Sequence, residues 1–441
     1  MDKARRIAIR RLERSEKAET YINLLSDEAI PEDDRARVRE YVSGVVRQKR
    51  YLDFLIDHYY RGKARKMHPR LRQILRLGIY ELLFMDRAEH GVVHEAVELA
   101  RRQVGVHTGG LVNALLRRIL REREALPVPD SGDVAEDLAV RYSYPTWMVA
   151  RWIARWGEED TERLLQRMNA RPYFSLRIHT RRVPVKTFHR WLEERAIPFE
   201  ISPWLPEFVR MPRLQEVVRA GWLEEGFCGV QDEGAALVAR LVAPQPGERI
   251  IDACAAPGGK SLYMAQMADD RVEIEAIDVH PHRVGLIETA AEKAGLTRIR
   301  THVGDAREVL PERPPADRIL LDVPCTGTGV LGRRPDLRWQ RRQEDLAELT
   351  QLQDALLDTA AERLRPGGTL VYATCSLEPE ENEARVQAFL ERHPAFELEP
   401  PREGEVPEEV RTPEGYMQTL PHVHGVDGAF AARLRKKAQA R

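Results

Sequence analysis

The chain has 441 residues, 43% of them apolar, and a formal net charge of -1. One hydrophobic core rarely serves a chain of this length, so we expect two or three domains. The near-neutral charge balance does not by itself indicate a nucleic-acid partner, and any such function must come from local charge. The four cysteines, at positions 228, 254, 325 and 375, fit neither a small disulfide framework nor paired zinc-ligand spacing.

Targeting and metal signals are weak in this sequence. The first residues contain no apolar stretch of signal-peptide length, and no later segment is apolar over a membrane span. His422 and His424 stand close together, but no third ligand lies near them. These observations predict a soluble cytoplasmic protein with no membrane partner and no metal.

Residues 1–130 show the apolar spacing of helices throughout, most clearly over 71–85 and 94–103, without strand-like alternation. A segment rich in Pro, Gly, Ser and Asp, residues 126–133, follows as a linker or turn. The pattern therefore predicts an all-helical first domain.

Positive charge is concentrated in one part of this helical region. Ten Lys or Arg residues between 47 and 76 stand against only Asp53 and Asp57. The ten are Arg47, Lys49, Arg50, Arg61, Lys63, Arg65, Lys66, Arg70, Arg72 and Arg76. Two interpretations are open: a solvated helix face, or a surface that binds phosphates.

The rest of the chain mixes helices and strands. Over 131–225 a helix at 147–168, an alternating strand at 174–180 and a helix at 185–196 predict a small α+β domain. Over 226–441 short apolar strands alternate with amphipathic helices, and the strands read RIIDAC, EIEAIDV, DRILLDV and TLVYATC. This βαβ rhythm predicts a Rossmann-like, doubly wound α/β domain.

The first of these strands runs into AAPGGKS, where Pro257, Gly258 and Gly259 permit a tight turn and close approach of a ligand. The position predicts a nucleotide-type site. The letters GGKS resemble the end of a phosphate loop, but that motif requires glycine where this chain has Cys254. We therefore set an NTPase function aside.

Acidic residues and cysteines follow the later strands. Asp278, Asp305 and Asp322 each come at or just after a predicted strand, and the carboxyl ends of parallel strands meet at one crevice. There they would accept hydrogen bonds from ribose hydroxyls or an exocyclic amine; the alternative for each is a turn or cap residue. Cys325 and Cys375 also end strands and would open onto this crevice, unless they are small buried hydrophobes. Cys254 is expected to line the pocket through its backbone, and Cys228 to be structural.

Four motifs occur in order: DACAAPGGK, DVPCTGTG followed by GRRPD, ATCSLEPEEN, and DGAFAARL. Together they resemble the Nop2/Sun class of RNA cytosine-C5 methyltransferases over about residues 228–435. The front segment, with LRLGIYELLF, HEAVELA and LVNALLRRIL, is similar to the NusB-type helical RNA-binding domain. The combination resembles the bacterial enzymes that act on 16S ribosomal RNA and covers nearly the whole chain, with 131–225 as an RRM-like middle domain.

The resemblance implies a monomeric enzyme with S-adenosylmethionine as cofactor and RNA, 16S rRNA with an accessible cytosine, as substrate. It implies that Cys375 is the nucleophile that adds to carbon 6, that Cys325 assists release after methyl transfer, and that Asp322 holds cytosine N3 and its amine. The cofactor would contact the turn residues Cys254, Ala255, Ala256, Pro257, Gly258, Gly259 and Lys260, together with Asp278, Arg283, Asp305 and Asp322.

Within that set the resemblance also implies individual roles. Asp278 would hold the ribose, with Arg283 near it, and Asp305 would bind the adenine amine. Lys260 would bind either the cofactor carboxylate or an RNA phosphate. The chain departs from the family pattern at His179, where asparagine is usual, which bears on how the middle domain fits RNA.

Three other functions compete with this one. The same chemistry on transfer RNA is disfavoured by the NusB-like front, and a non-catalytic RNA-binding assembly factor is disfavoured by the intact cysteines and glycine turn. A DNA cytosine methyltransferase would use Cys325 as the nucleophile and would not need Cys375.

Overall fold

The computed structural model describes residues 2–18, 30–62 and 66–438. Contacts divide the chain into two compact units: Met1–Asn169 with Arg334–Gln343, and Ala170–Arg333 with Glu344–Arg441. The helices over residues 134–169 thus pack in unit 1, whereas the sequence analysis assigned them to the middle domain; the boundaries at 130 and 225 stay predictions. Among the described residues no helix is both long and apolar enough to cross a bilayer.

The helices in chain order are α1 Lys3–Ala18, α2 Glu32–Arg47, α3 Lys49–Tyr59, α4 Pro69–Phe84, α5 Glu89–Gln103, α6 Thr108–Arg121, α7 Val134–Tyr142, α8 Thr146–Asn169, α9 Val185–Glu194, α10 Gln215–Arg219, α11 Glu233–Val242, α12 Gly259–Met267, α13 Pro281–Ala294, α14 Ala306–Val309, α15 Leu337–Gln340, α16 Asp345–Arg363, α17 Glu383–Arg392 and α18 Pro421–His424. The strands are β1 Phe174–Ile178, β2 Glu200–Ile201, β3 Phe208–Met211, β4 Cys228–Val230, β5 Arg249–Asp252, β6 Glu273–Asp278, β7 Ile299–Val303, β8 Ala316–Asp322, β9 Leu364–Thr374, β10 Phe396–Leu398, β11 Met417–Thr419 and β12 Ala429–Lys436.

Sequence signals set the ends of several helices. Pro69 opens α4 at a position where its missing N–H costs nothing, and the His68 side chain accepts a hydrogen bond from the Arg70 amide at 3.2 Å. Asp133 caps α7 in the same way. Gly157, at φ +80°, breaks α8 into two helical parts, because a left-handed residue cannot continue a right-handed helix.

Unit 2 contains two sheets. The smaller is antiparallel in the order β2-β3-β1-β4, and α9 packs on it through Phe188 and Leu192. The larger follows the order β10-β12-β9-β8-β5-β6-β7, with β11 paired to β12. Strands β5 to β9 are parallel and β12 is antiparallel to its neighbours. The predicted fold class, an all-helical first part, a small α+β part and a Rossmann-like part, is confirmed.

The basic stretch of unit 1 is largely neutralised by acidic residues of other helices. Arg76 is buried, with its guanidinium 2.6 Å from both Asp53 and Glu16. Ion pairs also join Arg72 to Asp53, Arg50 to Glu136, Arg70 to Glu13 and Lys49 to Glu16. Lys63 and Arg65 lie outside the described residues. Of this stretch as described, Arg61 and Lys66 are exposed, so a phosphate-binding surface here is smaller than the charge count indicated.

Arg338, from the segment Arg334–Gln343, is fully buried inside unit 1. It donates hydrogen bonds to the carbonyls of Arg47 and Ser143 at 3.1 and 3.0 Å, and to the Asn169 side chain at 3.0 Å. Its guanidinium also lies 3.7 Å from the centre of the Tyr144 ring. Burial lowers the pKa of Arg338 to about 10, which leaves it charged at neutral pH.

We expect Arg338→Ala to lower the free energy of unfolding of unit 1 by roughly 2–4 kcal/mol, because several buried acceptors lose their donor. Thermal unfolding followed by calorimetry measures the change. Arg35→Ala, at an exposed arginine of the same unit, is the matched control and should stay within about 0.5 kcal/mol. Equal stability of the two variants would show that the Arg338 contacts add nothing.

Candidate active site

The parallel strands bring the predicted site residues to one edge of the large sheet. The strand order reverses at β5, which has β6 on one side and β8 on the other, and ligands of such sheets bind outside the carboxyl ends at this point. Asp278 and Asp322 are the last residues of β6 and β8, and Cys375 directly follows β9. Side-chain contacts then join these residues into three groups, around the glycine turn, around Lys260 and around the two cysteines.

The glycine turn after β5 is held by Asp278 and Arg283. The buried Asp278 carboxylate accepts a hydrogen bond from the Ala256 amide at 3.2 Å, and Arg283 donates to the Ala256 carbonyl at 2.5 Å. Gly258 has φ +98°, and a Cβ there would lie 3.1 Å from Ile287, so the turn requires glycine. Arg283 thus contacts the turn directly and also lies 3.7 Å from the Asp278 carboxylate.

Arg177 is a further residue that holds this turn, and the sequence analysis did not single it out. It lies on β1, is buried, and donates to the Gly259 carbonyl at 2.9 Å and to the Gln231 side chain at 2.7 Å. Burial lowers the pKa of Arg177 to about 10. A predicted strand with a mid-strand arginine gives no signal of such a contact, because the partner carbonyl is 82 residues away in sequence.

His179, the departure from the usual asparagine, is a neighbour of Arg177. Its Nε2 lies 3.3 Å from the Arg177 guanidinium and its Nδ1 lies 2.8 Å from the Gly226 carbonyl. Arginine can only donate, so Nε2 accepts and the Nδ1–H donates to Gly226. Burial lowers the pKa of His179 to about 4, which keeps this neutral tautomer. An asparagine amide also carries an acceptor and N–H donors, so histidine keeps both kinds of hydrogen-bonding group at this position.

The surface beside Asp278 suits a nucleoside. Val303 pairs with Asp278 across β6 and β7, and Val279 follows Asp278 directly. The two valines are 51% and 54% exposed, although they lie next to a carboxylate that is only 6% exposed. Exposed apolar side chains next to a strand-end acid provide a packing surface for a base and an acceptor for ribose hydroxyls. Together with the glycine turn, these residues fit S-adenosylmethionine.

Asp305 is engaged locally. It caps α14 by accepting from the Arg307 amide at 2.9 Å, and its carboxylate accepts from the Arg307 guanidinium at 2.6 Å. The Arg307 hydrogen bond lowers the pKa of Asp305. An adenine amine would share this carboxylate with Arg307.

Lys260 and Asp322 form an ion pair at the start of α12. The Lys260 Nζ lies 2.6 Å from Asp322 Oδ2. In this structure the ammonium is therefore paired with a carboxylate of the protein itself. Burial would lower the pKa of Lys260, but Asp322, together with Asp252 and Cys375, raises it above its ordinary value. Cys375 adds to the same upward shift, so the ammonium and this sulfur interact electrostatically.

The two cysteines meet directly. The sulfur of Cys325 lies 3.4 Å from the sulfur of Cys375, although 50 residues separate them in sequence. The hydrogen bond to Cys375 is the largest cause that raises the pKa of Cys325, and burial adds to it. Cys325 therefore keeps its proton, and either sulfur can be the donor in the contact between them. Burial also raises the pKa of Cys254, and that of Cys228 to about 12, which suits packing roles for both.

Three family models match this chain. The model described as NusB family matches residues 2–121, a ferredoxin-like domain described as Methyltr_RsmF/B-like matches 144–217, and 16S rRNA methyltransferase RsmB/F matches 239–435. A solved structure described as that of PH0851 superposes with a TM-score of 0.80 at 28% identity, over 98% of both chains.

Two relatives are similar over nearly the whole length, and both are named probable ribosomal RNA small subunit methyltransferase B. The protein from Bacillus subtilis (strain 168) is 33% identical over 98% of each chain. The protein from Synechocystis sp. is 35% identical over 99% of this chain and 100% of its own. With this identity and the family matches along the chain, the protein belongs to the RsmB/F family of S-adenosylmethionine-dependent methyltransferases.

Proposed function

We propose that this protein methylates carbon 5 of a cytosine in RNA, and that the RNA is 16S ribosomal RNA. The observation that carries the proposal is the pair of cysteine sulfurs 3.4 Å apart, at the edge of the sheet where Lys260 and Asp322 also lie. A methyltransferase that acts on oxygen or nitrogen has no need for two thiols there. Carbon 5 of cytosine is different, because it is a poor nucleophile until a group has added to carbon 6.

The first step forms a bond between the Cys375 sulfur and carbon 6. The thiolate contributes the electron pair of the new bond, and a proton goes to N3, which leaves carbon 5 as the nucleophilic end of an enamine. After carbon 5 has been methylated, its proton passes to a water molecule and N3 gives up the proton it received. The carbon–sulfur bond then breaks, and its electron pair returns to sulfur as the thiolate. Lys260, which interacts electrostatically with Cys375, is the cation that stabilises the attacking thiolate in this mechanism.

Different environments support different roles for the two sulfurs. Cys325 is buried and its pKa is raised, which disfavours it as the attacking group and leaves Cys375 as the sulfur that adds to carbon 6. Cys325 then assists release. In a DNA cytosine methyltransferase, Cys325 would have to be the nucleophile. The raised pKa of this buried thiol disfavours that role.

Asp322 is the candidate partner of cytosine N3. In the ion pair with Lys260 it is a carboxylate, and a carboxylate accepts hydrogen bonds but cannot donate one to N3. We therefore infer that the proton reaching N3 comes from Lys260 through Asp322. The returning proton follows the same contact in reverse when the carbon–sulfur bond breaks.

S-adenosylmethionine, when bound, supplies an electrophilic methyl group at this crevice. In the proposed binding mode, backbone groups of residues 254–260 hold its methionine part and Asp278 accepts from the ribose hydroxyls, with Arg283 fixing the turn. Asp305 receives the adenine amine alongside Arg307. Val279 and Val303 provide the apolar surface for the base.

An RNA substrate is supported by the relatives' names and by the match to the NusB family over residues 2–121. A cytosine within a helix hides the ring face that Cys375 must attack, so the target base is unpaired or turned out of the stack. Exposed cations of unit 1 contribute phosphate contacts that add affinity without reading sequence.

Substitution of the two cysteines tests the chemistry. Cys375→Ala should abolish methyl transfer and form no covalent RNA complex, because no sulfur adds to carbon 6. Cys325→Ala should still add and methylate, but it should accumulate the complex because release is impaired. A denaturing gel with labelled 16S rRNA transcript separates these outcomes, and a covalent complex formed by Cys375→Ala would contradict the assignment.

Asp278→Ala should weaken cofactor binding by about 10-fold or more, since a buried carboxylate that accepts from both the turn and the ribose is removed. Isothermal calorimetry with S-adenosylmethionine measures the dissociation constant. Asp317→Ala is the control, because Asp317 lies at the opposite end of β8 and pairs with Arg365. Wild-type affinity in Asp278→Ala would rule out the ribose contact.

The double substitution Arg61→Glu and Lys66→Glu should weaken binding of 16S rRNA and reduce its dependence on salt concentration, because phosphate contacts are lost. The turnover number at saturating RNA should not change. Filter binding at several salt concentrations gives the affinity for RNA and its dependence on salt. An unchanged slope of affinity against salt would remove this surface from the interface.

A further inference from the structure

Both cysteines are held through the residues that flank them, and two adjacent residues from the stretch after Cys375 take part in holding them. Cys375 lies between Thr374 and Ser376. The Thr374 hydroxyl donates to Asn382 Oδ1 at 2.5 Å, and Asn382 Nδ2 donates to the Ser376 carbonyl at 2.9 Å. One buried amide therefore holds the residues on both sides of this sulfur, through the Thr374 side chain and the Ser376 backbone.

Cys325 is held in an equivalent manner by Glu381, the residue that precedes Asn382 in the chain. The Glu381 carboxylate accepts from the Thr326 amide at 2.9 Å and from the Thr326 hydroxyl at 2.5 Å. Gln353 completes this set, since its Nε2 donates to Glu381 at 3.0 Å and to the Pro324 carbonyl at 3.0 Å. The residues before and after Cys325 are thus bound to one buried carboxylate and its neighbouring amide.

These groups have no access to solvent. Glu381, Asn382, Thr326 and Gln353 are 0% exposed. A buried carboxylate is costly unless its hydrogen bonds are made, and Glu381 makes three with short distances. The Thr326 and Ser376 hydroxyls, 3.0 Å apart, link the two halves. Such a network has one low-energy arrangement, and this arrangement fixes the distance between the sulfurs.

We propose that the adjacent residues Glu381 and Asn382 are positioning residues, Asn382 for the addition step at Cys375 and Glu381 for the release step at Cys325. The inference rests on the proposed function, because it uses the two steps assigned there to the two cysteines. Neither residue touches the reacting base; each acts through the backbone that carries a sulfur. A shift of about 1 Å in a reacting atom is enough to slow a step roughly 100-fold.

Single-turnover reactions with 16S rRNA transcript, quenched over time and resolved on denaturing gels, measure formation and decay of the covalent complex separately. Asn382→Ala should form the complex at least about 10-fold more slowly than the wild type. Glu381→Ala should form it at close to the wild-type rate but release it at least about 10-fold more slowly, as Cys325→Ala does. Glu381→Gln should restore release, because the amide oxygen accepts from Thr326 N–H and its NH₂ donates to the Thr326 hydroxyl.

Glu233→Ala is the matched control for the loss of a buried carboxylate in the same unit. Glu233 is 0% exposed and accepts from Ser175, Ser202 and Arg210, away from both cysteine loops. It should lower the melting temperature while leaving formation and release of the complex at wild-type rates. Calorimetric binding of S-adenosylmethionine identifies any variant that has failed to fold.

If an alanine variant does not fold, isosteric threonine variants decide the question. Thr374→Val removes the hydroxyl that donates to Asn382 and should slow formation of the covalent complex. Thr326→Val removes the hydroxyl that donates to Glu381 and should slow its release. Thr374→Ser should restore formation, and Thr326→Ser should restore release. Equal slowing of both steps on the two sides, or wild-type release in the Glu381 and Thr326 variants, would overturn the positioning roles. Failure of the proposed function gives a different result from failure of the positioning roles. It would appear as a covalent complex formed by Cys375→Ala, or as the absence of a covalent complex in Cys325→Ala.

Discussion

Parallel pairing of β8 with β5 on one side and with β9 on the other is the constraint on which the site depends. In parallel strands all carboxyl ends lie at one edge, so each residue that ends a strand is delivered to the same place regardless of its position in sequence. Asp322 and Cys375 come from adjacent strands, and Lys260 comes from the helix after β5. A shift in register by one residue would turn these side chains to the other face of the sheet.

The charged and polar neighbours of these side chains then give chemically similar groups different surroundings. Lys260 pairs with Asp322, and both Asp322 and Cys375 contribute to the raised pKa of Lys260. Cys325 faces a sulfur and the carboxylate of Glu381, and both raise its pKa. Two chemically identical thiols, 3.4 Å apart, therefore have different surroundings, with Cys325 beside Glu381 and Cys375 near Lys260.

The sequence was informative where structure follows local pattern. Strand periodicity and the position of each polar residue at a strand end were enough to predict that Asp278, Asp322, Cys325 and Cys375 open onto one edge. Contacts of buried side chains were not predictable in this way. Arg177 on the glycine turn, and Glu381 and Asn382 beneath the cysteines, depend on partners that only the folded chain supplies. The basic stretch was overestimated for the same reason, because Glu13 and Glu136, which pair with Arg70 and Arg50, lie outside it.

The buried position of Arg338 has a consequence for synthesis of the protein. Unit 1 is made from residues at the start of the chain and from ten residues that follow position 333, and Arg338 binds carbonyls up to 291 residues earlier. Chains emerge from the ribosome from the N-terminus at about 5–20 residues per second. For tens of seconds the early helices must persist with the acceptors at Arg47, Ser143 and Asn169 hydrated rather than bound to Arg338. Unit 1 therefore cannot be completed until most of unit 2 has been translated.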